Sequence, residues 1–132
     1  MLRRAFLSLI LCTTLACAGK APPGLSPAGV RVWQANEAVV ALGTAQHAAI
    51  ELNKVQVCNP TCYPLLSDHN TGVVVDNVLT ALHTIKAVPD GWKATALEAI
   101  NAIMLRIDSE GQARIVAYLE AARAVINAIG GQ

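Results

Sequence analysis

Residues 92–107 read WKATALEAINAIMLRI, and this stretch decides the fold. Its apolar side chains recur at steps of three and four residues, as at Trp92, Ala96, Ile100, Ile103 and Ile107. Such spacing places them along one face of an α-helix, which completes a turn in about 3.6 residues. The stretch therefore predicts a helix that begins near Asp90 and buries one face.

Three further segments show the same helical spacing. The first runs from Ser26 and Pro27, a typical helix start, to about Val57. The second begins after Gly72 and ends before the Pro89-Asp90-Gly91 turn, and the last runs from Asp108 or Ser109 to Gly130. The residues expected to face inward in these segments are Val32, Ala35, Val39, Leu42, Ala45, Ala49, Leu52 and Val55; Val75, Val78, Leu79, Leu82 and Ile85; and Ile115, Leu119, Ala122, Ile126 and Ile129.

Short connections make consecutive helices antiparallel, so the predicted fold is all-α, an up-down four-helix bundle with a long first helix. We assign residues 30–132 to this single domain, which is long enough to bury its own core. The topology puts Trp33 and Trp92 at the end of the bundle where the first helix starts. There they either close the core or contact lipid headgroups.

The N-terminal residues have the composition of a bacterial export signal. MLRRAFLSLILCTTLACAGK contains two arginines, then an uncharged run from Ala5 to Gly19 that ends in small residues. This run is too short for a permanent membrane-spanning helix, which needs roughly 20 apolar residues. We therefore expect the segment to direct export and to be removed.

Thr14-Leu15-Ala16-Cys17 resembles the lipobox of bacterial lipoprotein precursors. The resemblance implies that residues 1–16 are removed as a signal peptide, that Cys17 is acylated and that the chain is anchored to a membrane. Ala18 and Gly19 after the cysteine imply the outer membrane, with the protein facing the periplasm. The alternative is ordinary cleavage after Ala18, which would leave a soluble periplasmic or secreted protein.

Residues 17–29 are rich in proline and glycine and predict a flexible tether. Such a spacer would reach on the order of 20 to 35 Å. Loss of Arg3 and Arg4 with the signal leaves eight basic against nine acidic residues. This balance gives no electrostatic footprint for nucleic acid, and no polybasic run favours a second, charge-based membrane contact.

Residues 58–62 read CNPTC and present the two remaining thiols. Cys12 would leave with the signal, and disulfides persist in exported proteins, so we predict a Cys58–Cys62 disulfide. Pro60 disfavours the helical turn that would hold the two cysteines apart. The alternative is a metal site of Cys58, Cys62 and His69, with Asp68 or His47 as a further ligand.

The sequence favours a non-catalytic interaction module and implies no cofactor. Asp68 and His69 have only Ser67 and Thr71 as nearby hydroxyls, and no G-x-S-x-G motif is present. We expect the loop 58–71 to bind an envelope protein, and its candidate contacts are Tyr63, Leu65 and Leu66, flanked by Asp68, His69 and Asn70. The alternative function is an exported carrier of a small ligand or metal, using this loop or the bundle interior.

Overall fold

A computed structural model describes residues 20–130. The predicted signal peptide 1–16, Cys17 and the first residues of the tether lie outside the described residues. The described elements, in chain order, are α1 (Pro27–Lys54), β1 (Gln56–Cys58), β2 (Cys62–Pro64), α2 (Asp68–Ala87), a 3-10 turn (Pro89–Gly91), α3 (Trp92–Arg106) and α4 (Ser109–Ala128).

The predicted up-down four-helix bundle is confirmed. Each helix packs against the next one in the chain, and α4 closes the bundle against α1. Arg31, at the start of α1, pairs with Asp90, just before α3. At the opposite end Asn70, in the first turn of α2, bonds to Asp108, just before α4. We call the end with the start of α1 the tether end, and the opposite end the distal end.

The predicted inward faces of α3 and α4 are confirmed. Their recurring isoleucines are fully or almost fully buried, since Ile100, Ile103, Ile115 and Ile126 each have 0% of their surface exposed. Trp92 is also buried, at 7% exposure. The other buried positions of these segments are Ala96, Ala99, Ile107, Gly111, Leu119, Ala122 and Ile129. These two helices therefore form the bulky half of the core.

The predicted inward faces of α1 and α2 are confirmed only in part: three predicted positions are exposed, whereas six are buried as expected, namely Ala35, Leu42, Ala45, Ala49, Val78 and Ile85. Val32 is 51% exposed, because the buried stripe of α1 consists of alanines with a single leucine, Leu42. Val55 is 48% exposed, because α1 ends at Lys54 and Val55 lies beyond the helix. Leu79 is 44% exposed, since the buried stripe of α2 is Asn70, Val74, Val78, Ala81 and Ile85. Small side chains on α1 let the larger residues of the other helices approach its backbone closely.

Helix α2 begins five residues earlier than predicted, at Asp68 instead of at Val73, the residue after Gly72. The Ser67 hydroxyl accepts a hydrogen bond from the Asn70 backbone N–H at 3.2 Å and so caps the helix. Asp68 in the first turn adds a favourable negative charge at the helix N-terminus. The predicted loop 58–71 is therefore shorter, and its last residues belong to α2.

The start of α1 is also capped by serine. The Ser26 hydroxyl accepts a hydrogen bond from the Gly29 N–H at 3.1 Å, and Pro27 occupies the first turn as predicted. Residues 27–29, assigned from the sequence to the tether, consequently belong to the bundle. Among residues 20–130, no helix combines the length and apolar character needed to cross a membrane.

Candidate partner-binding hairpin

The distal end carries a two-stranded antiparallel hairpin that the helical interpretation of the sequence missed. Strand β1 pairs with β2 so that Gln56 lies opposite Pro64, Val57 opposite Tyr63 and Cys58 opposite Cys62. The two cysteines form the predicted disulfide, which is confirmed, and both are exposed. The Asn59–Pro60 peptide bond in the connecting loop is cis. The alternation in Val55-Gln56-Val57-Cys58 was the sequence signal for this strand.

The base of the hairpin is fixed to the end of α1 by hydrogen bonds. The Leu65 N–H donates to the Val55 carbonyl at 2.7 Å, and the Leu66 N–H donates to the Leu52 carbonyl at 3.3 Å. The Asn53 side-chain amide donates to the Leu66 carbonyl at 3.0 Å and to the Asp68 carboxylate at 2.8 Å. These bonds connect the hairpin to both α1 and α2, so its orientation on the bundle is defined.

One face of the hairpin is apolar. Val57 shares a face of the hairpin with its cross-strand partner Tyr63. Val55 and Leu65, which are joined by a backbone hydrogen bond just beyond the strands, lie two residues further along the same face. Tyr63 is 46% exposed and Val55 is 48% exposed, whereas Val57 and Leu65 are half-buried. We call these four residues the hairpin face. It is a candidate contact surface because its aromatic and branched side chains are accessible at the distal end.

The structure corrects two of the predicted partner contacts. Leu66 is 1% exposed and Asn70 is 0% exposed, so neither side chain can reach a partner on the folded surface. Leu66 lies in the hydrophobic core, and Asn70 bonds across the bundle to Asp108. Asp68 and His69 are exposed in the first turn of α2, and Tyr63 and Leu65 lie in or beside β2.

The alternative metal site is not assembled. Cys58 and Cys62 are joined to each other, and a disulfide has no thiolate to offer a metal. His47 lies on α1 seven residues before its last residue, about two helical turns from the base of the hairpin. Within residues 20–130, no group of three or more His, Cys, Asp or Glu side chains is arranged to hold a metal ion.

An apolar groove adjoins the hairpin face between α1 and α4. Val55 belongs to both surfaces, and the groove is lined with it by the mostly apolar set Ala48, Leu52 and Tyr118 and by the polar residues Thr44, His47 and Glu51. Its volume is about 380 Å³, and Tyr118 is 45% exposed at its edge. The sequence analysis missed Tyr118, because only the packing of α4 against α1 brings it beside Val55. The groove extends the apolar surface from the hairpin along the side of the bundle.

Two carboxylates near this end have lowered pKa values. The Gly111 backbone N–H and then the Asn70 side chain donate hydrogen bonds to Asp108, and these lower the pKa of its carboxyl below the ordinary value. The Lys54 ammonium donates a hydrogen bond to Glu51 at 2.8 Å and lowers the pKa of that carboxyl. Both groups therefore favour the negative charge in the folded state.

Comparison of the chain with protein-family models, curated proteins and solved structures finds no match.

Proposed function

We propose that the protein is a small lipid-anchored protein of the bacterial cell envelope, of non-catalytic type, that binds a protein partner through its hairpin face. The observation that carries this proposal is the exposed Tyr63 on a hairpin that is closed by a disulfide and bonded to two helices. Exposed aromatic residues on a fixed scaffold are typical centres of binding energy in protein interfaces.

The rigidity of the hairpin supports a binding role. A segment that is already ordered loses little conformational entropy when it binds, so more of the contact energy appears as affinity. The Cys58–Cys62 disulfide closes the tip, and Asn53 holds the base through two hydrogen bonds. The hairpin face is also continuous with the groove beside Tyr118, which enlarges the apolar surface available to a partner.

The location follows from the N-terminal sequence. The lipobox-like stretch ending at Cys17 would anchor the chain in the outer membrane, with the bundle in the periplasm. The hairpin lies at the opposite end of the bundle from the start of α1, so the anchor would leave the hairpin face accessible. An exported location is also compatible with the disulfide, since disulfide bonds persist in that oxidising environment.

The anchor is tested by the intact mass of the protein from the membrane fraction of a bacterial host. We expect a chain that begins at Cys17, carries acyl chains and has two thiols that alkylate only after reduction. A soluble chain without acyl groups would disprove the lipid anchor.

Partner binding is tested by photo-crosslinking in the living host. A photoreactive amino acid replaces Tyr63 in one variant and, as the matched control, Leu105 in another; Leu105 is 86% exposed near the end of α3. We expect a discrete adduct from position 63 that is absent from position 105 and is weakened when Val57 is changed to serine. Equal patterns from the two positions, or no adduct from position 63, would contradict the proposal.

A further inference from the structure

We propose that the tether end of the bundle is a membrane-contact surface that rests on anionic phospholipid. This inference deepens the proposed function and rests on its lipid anchor, which would bring the tether end close to a bilayer. The sequence contains no polybasic run, and for that reason we expected no charge-based contact with the membrane. The fold changes this expectation, because it gathers basic residues that are far apart in the chain.

Three exposed basic side chains surround the tether end. Arg31 in the first turns of α1 lies 3.1 Å from Asp90, which places it beside the turn before α3. Lys86, in the last turn of α2, lines a groove together with Val32 and Pro89. Lys93 is the second residue of α3 and is exposed. These residues come from three different helices and meet at one end because the helices alternate in direction.

The charge of the chain is divided along the bundle. Asp90 is the carboxylate paired with Arg31, so Arg31, Lys86, Lys93 and Asp90 together have a net charge of +2, and Lys20, in the segment that leads into α1, raises the sum of these side-chain charges to +3. The other described residues contain four basic and eight acidic side chains, a net charge of −4. Near-neutral composition therefore hides a basic tether end, which is the end that an anionic membrane would attract.

Apolar side chains are exposed among these basic residues. Leu25, Val32 and Val88 are 43%, 51% and 58% exposed. Val32 also lines a mostly apolar groove of about 410 Å³ between α1 and α2, whose other walls include Leu82 and Ile85. Surfaces that combine basic residues with exposed apolar ones bind at the boundary between headgroups and acyl chains, where the two kinds of side chain find different partners.

The path of the chain into α1 shortens the tether. Gly24 has φ of +87°, a left-handed conformation that turns the chain before the helix. Leu25 then lies over the first turn of α1, since a Cβ built on Gly29 would be 3.5 Å from the Leu25 Cβ. The chain from this turn onward therefore belongs to the entry into α1, so fewer residues separate the proposed anchor Cys17 from the bundle than in the predicted tether 17–29.

Tryptophan fluorescence provides a direct test, because the two tryptophans of the chain, Trp33 and Trp92, both lie at the tether end. Full-length protein from the membrane fraction is reconstituted into phosphatidylcholine vesicles that contain brominated lipid, with or without phosphatidylglycerol. We expect stronger quenching with phosphatidylglycerol and loss of this difference at high salt, since salt screens exposed charges.

Charge variants locate the contact. In Lys86→Gln/Lys93→Gln the docking equilibrium should fall on the order of fivefold for each lysine removed. The matched control is Arg106→Gln/Arg114→Gln, which removes the same charge near the distal end and should leave quenching unchanged. Equal quenching with and without phosphatidylglycerol, or equal effects of the two double variants, would overturn the proposal.

Substitutions of exposed apolar residues test the apolar part of the membrane contact by the same quenching measurement. Val88→Ser should weaken quenching, whereas Leu105→Ser, which removes an even more exposed apolar side chain near the distal end, should not. No difference between these two variants would exclude the apolar contact.

Failure of the anchor is distinguishable from failure of this surface. If the chain proves to be unacylated and soluble, it is mixed with the same vesicles and sedimented. Binding that requires phosphatidylglycerol and is lost in Lys86→Gln/Lys93→Gln would support the membrane-contact surface without the anchor. Absence of such binding would overturn the proposal, whatever the state of Cys17.

Discussion

Asn70 and Asp108 exchange two hydrogen bonds across the distal end of the bundle. The Asn70 side-chain amide donates to the Asp108 carboxylate at 2.9 Å, and the Asp108 backbone N–H donates to the Asn70 side-chain oxygen at 3.1 Å. The same carboxylate accepts the Gly111 N–H at 2.8 Å and caps α4. One buried amide thus joins the first turn of α2 to the start of α4, close to the base of the hairpin.

Replacement of Asn70 by alanine should destabilise the bundle. The variant loses two hydrogen bonds between helices and leaves a cavity at a position with 0% exposure, so we expect a loss of about 2 kcal/mol in the free energy of unfolding. Urea denaturation measures this value. Asn101→Ala, at an exposed position of α3, is the control and should change stability by less than about 0.5 kcal/mol.

Two glycine-to-alanine variants should have opposite effects. A Cβ on Gly111 would lie 2.6 Å from the Asn70 side-chain carbon and nitrogen, atoms that are already fixed by hydrogen bonds, so Gly111→Ala should destabilise by roughly 1 to 2 kcal/mol. Gly43, in the middle of α1, has open space around its position, and Gly43→Ala should stabilise by up to about 1 kcal/mol. Thermal or urea unfolding of both variants measures these changes in stability. If Gly111→Ala were stabilising, the close approach of Gly111 to the Asn70 side chain would be refuted.

Stability should fall in acid partly through Asp108. Its folded-state pKa lies below the ordinary value of 3.8, so protonation favours the unfolded chain. The stabilising contribution is complete above the ordinary pKa and is lost as pH falls through the lowered pKa. Asp108→Asn removes this titration while keeping a capping side chain, so its stability relative to the wild type should rise as the pH falls below about 4. Parallel pH profiles for the two proteins would contradict this assignment.

Loss of the disulfide should loosen the hairpin without unfolding the bundle. A bridge that closes so short a loop contributes about 2 kcal/mol in the chain-entropy model. In Cys58→Ser/Cys62→Ser we expect faster hydrogen exchange in residues 55–65 and near-native protection in the centres of α1 to α4. Hydrogen–deuterium exchange with mass spectrometry separates the two regions, and a uniform loss of protection would show that the bridge holds the whole fold.

Variants of Leu66 and Tyr63 should differ in their effects on folding stability and on partner binding. Leu66 is 1% exposed in the core, so Leu66→Ala should cost about 2 to 4 kcal/mol of unfolding free energy. Tyr63 is 46% exposed, so Tyr63→Ser should cost less than about 1 kcal/mol while reducing the crosslinked adduct, here trapped from a photoreactive residue at position 57. A large stability loss in Tyr63→Ser would indicate a structural tyrosine and remove it from the hairpin face.

Sequence periodicity predicted α3 and α4 well and the other half of the bundle less well. In α3 and α4 the large isoleucines recur at helical spacing along one face, so the sequence identifies the buried face without ambiguity. In α1 alanines occur on several sides, and a small apolar residue fits equally well at the core or at its edge. The exposure of Val32 and Leu79 therefore depends on how closely the neighbouring helices approach, which only packing decides.

In the candidate site, too, the sequence predicted one feature and missed another. The CNPTC stretch and the export expected from the N-terminal residues were enough to predict the disulfide, because this expectation left two cysteines to pair with each other. The sequence could not separate Leu65 from Leu66, since neighbouring residues on an extended chain point in opposite directions and the hairpin register decides which one enters the core.

By itself, the amino-acid sequence determined the four-helix architecture, the order of the helices and the pairing of Cys58 with Cys62. These properties depend on local periodicity, on short connections and on the number of cysteines. Only the tertiary structure decided that Asn70 is a buried link to Asp108, that Tyr118 lies beside Val55 and that Arg31, Lys86 and Lys93 share one end. Such relationships join residues from different helices, and they arise when antiparallel packing brings distant parts of the chain to the same height in the bundle.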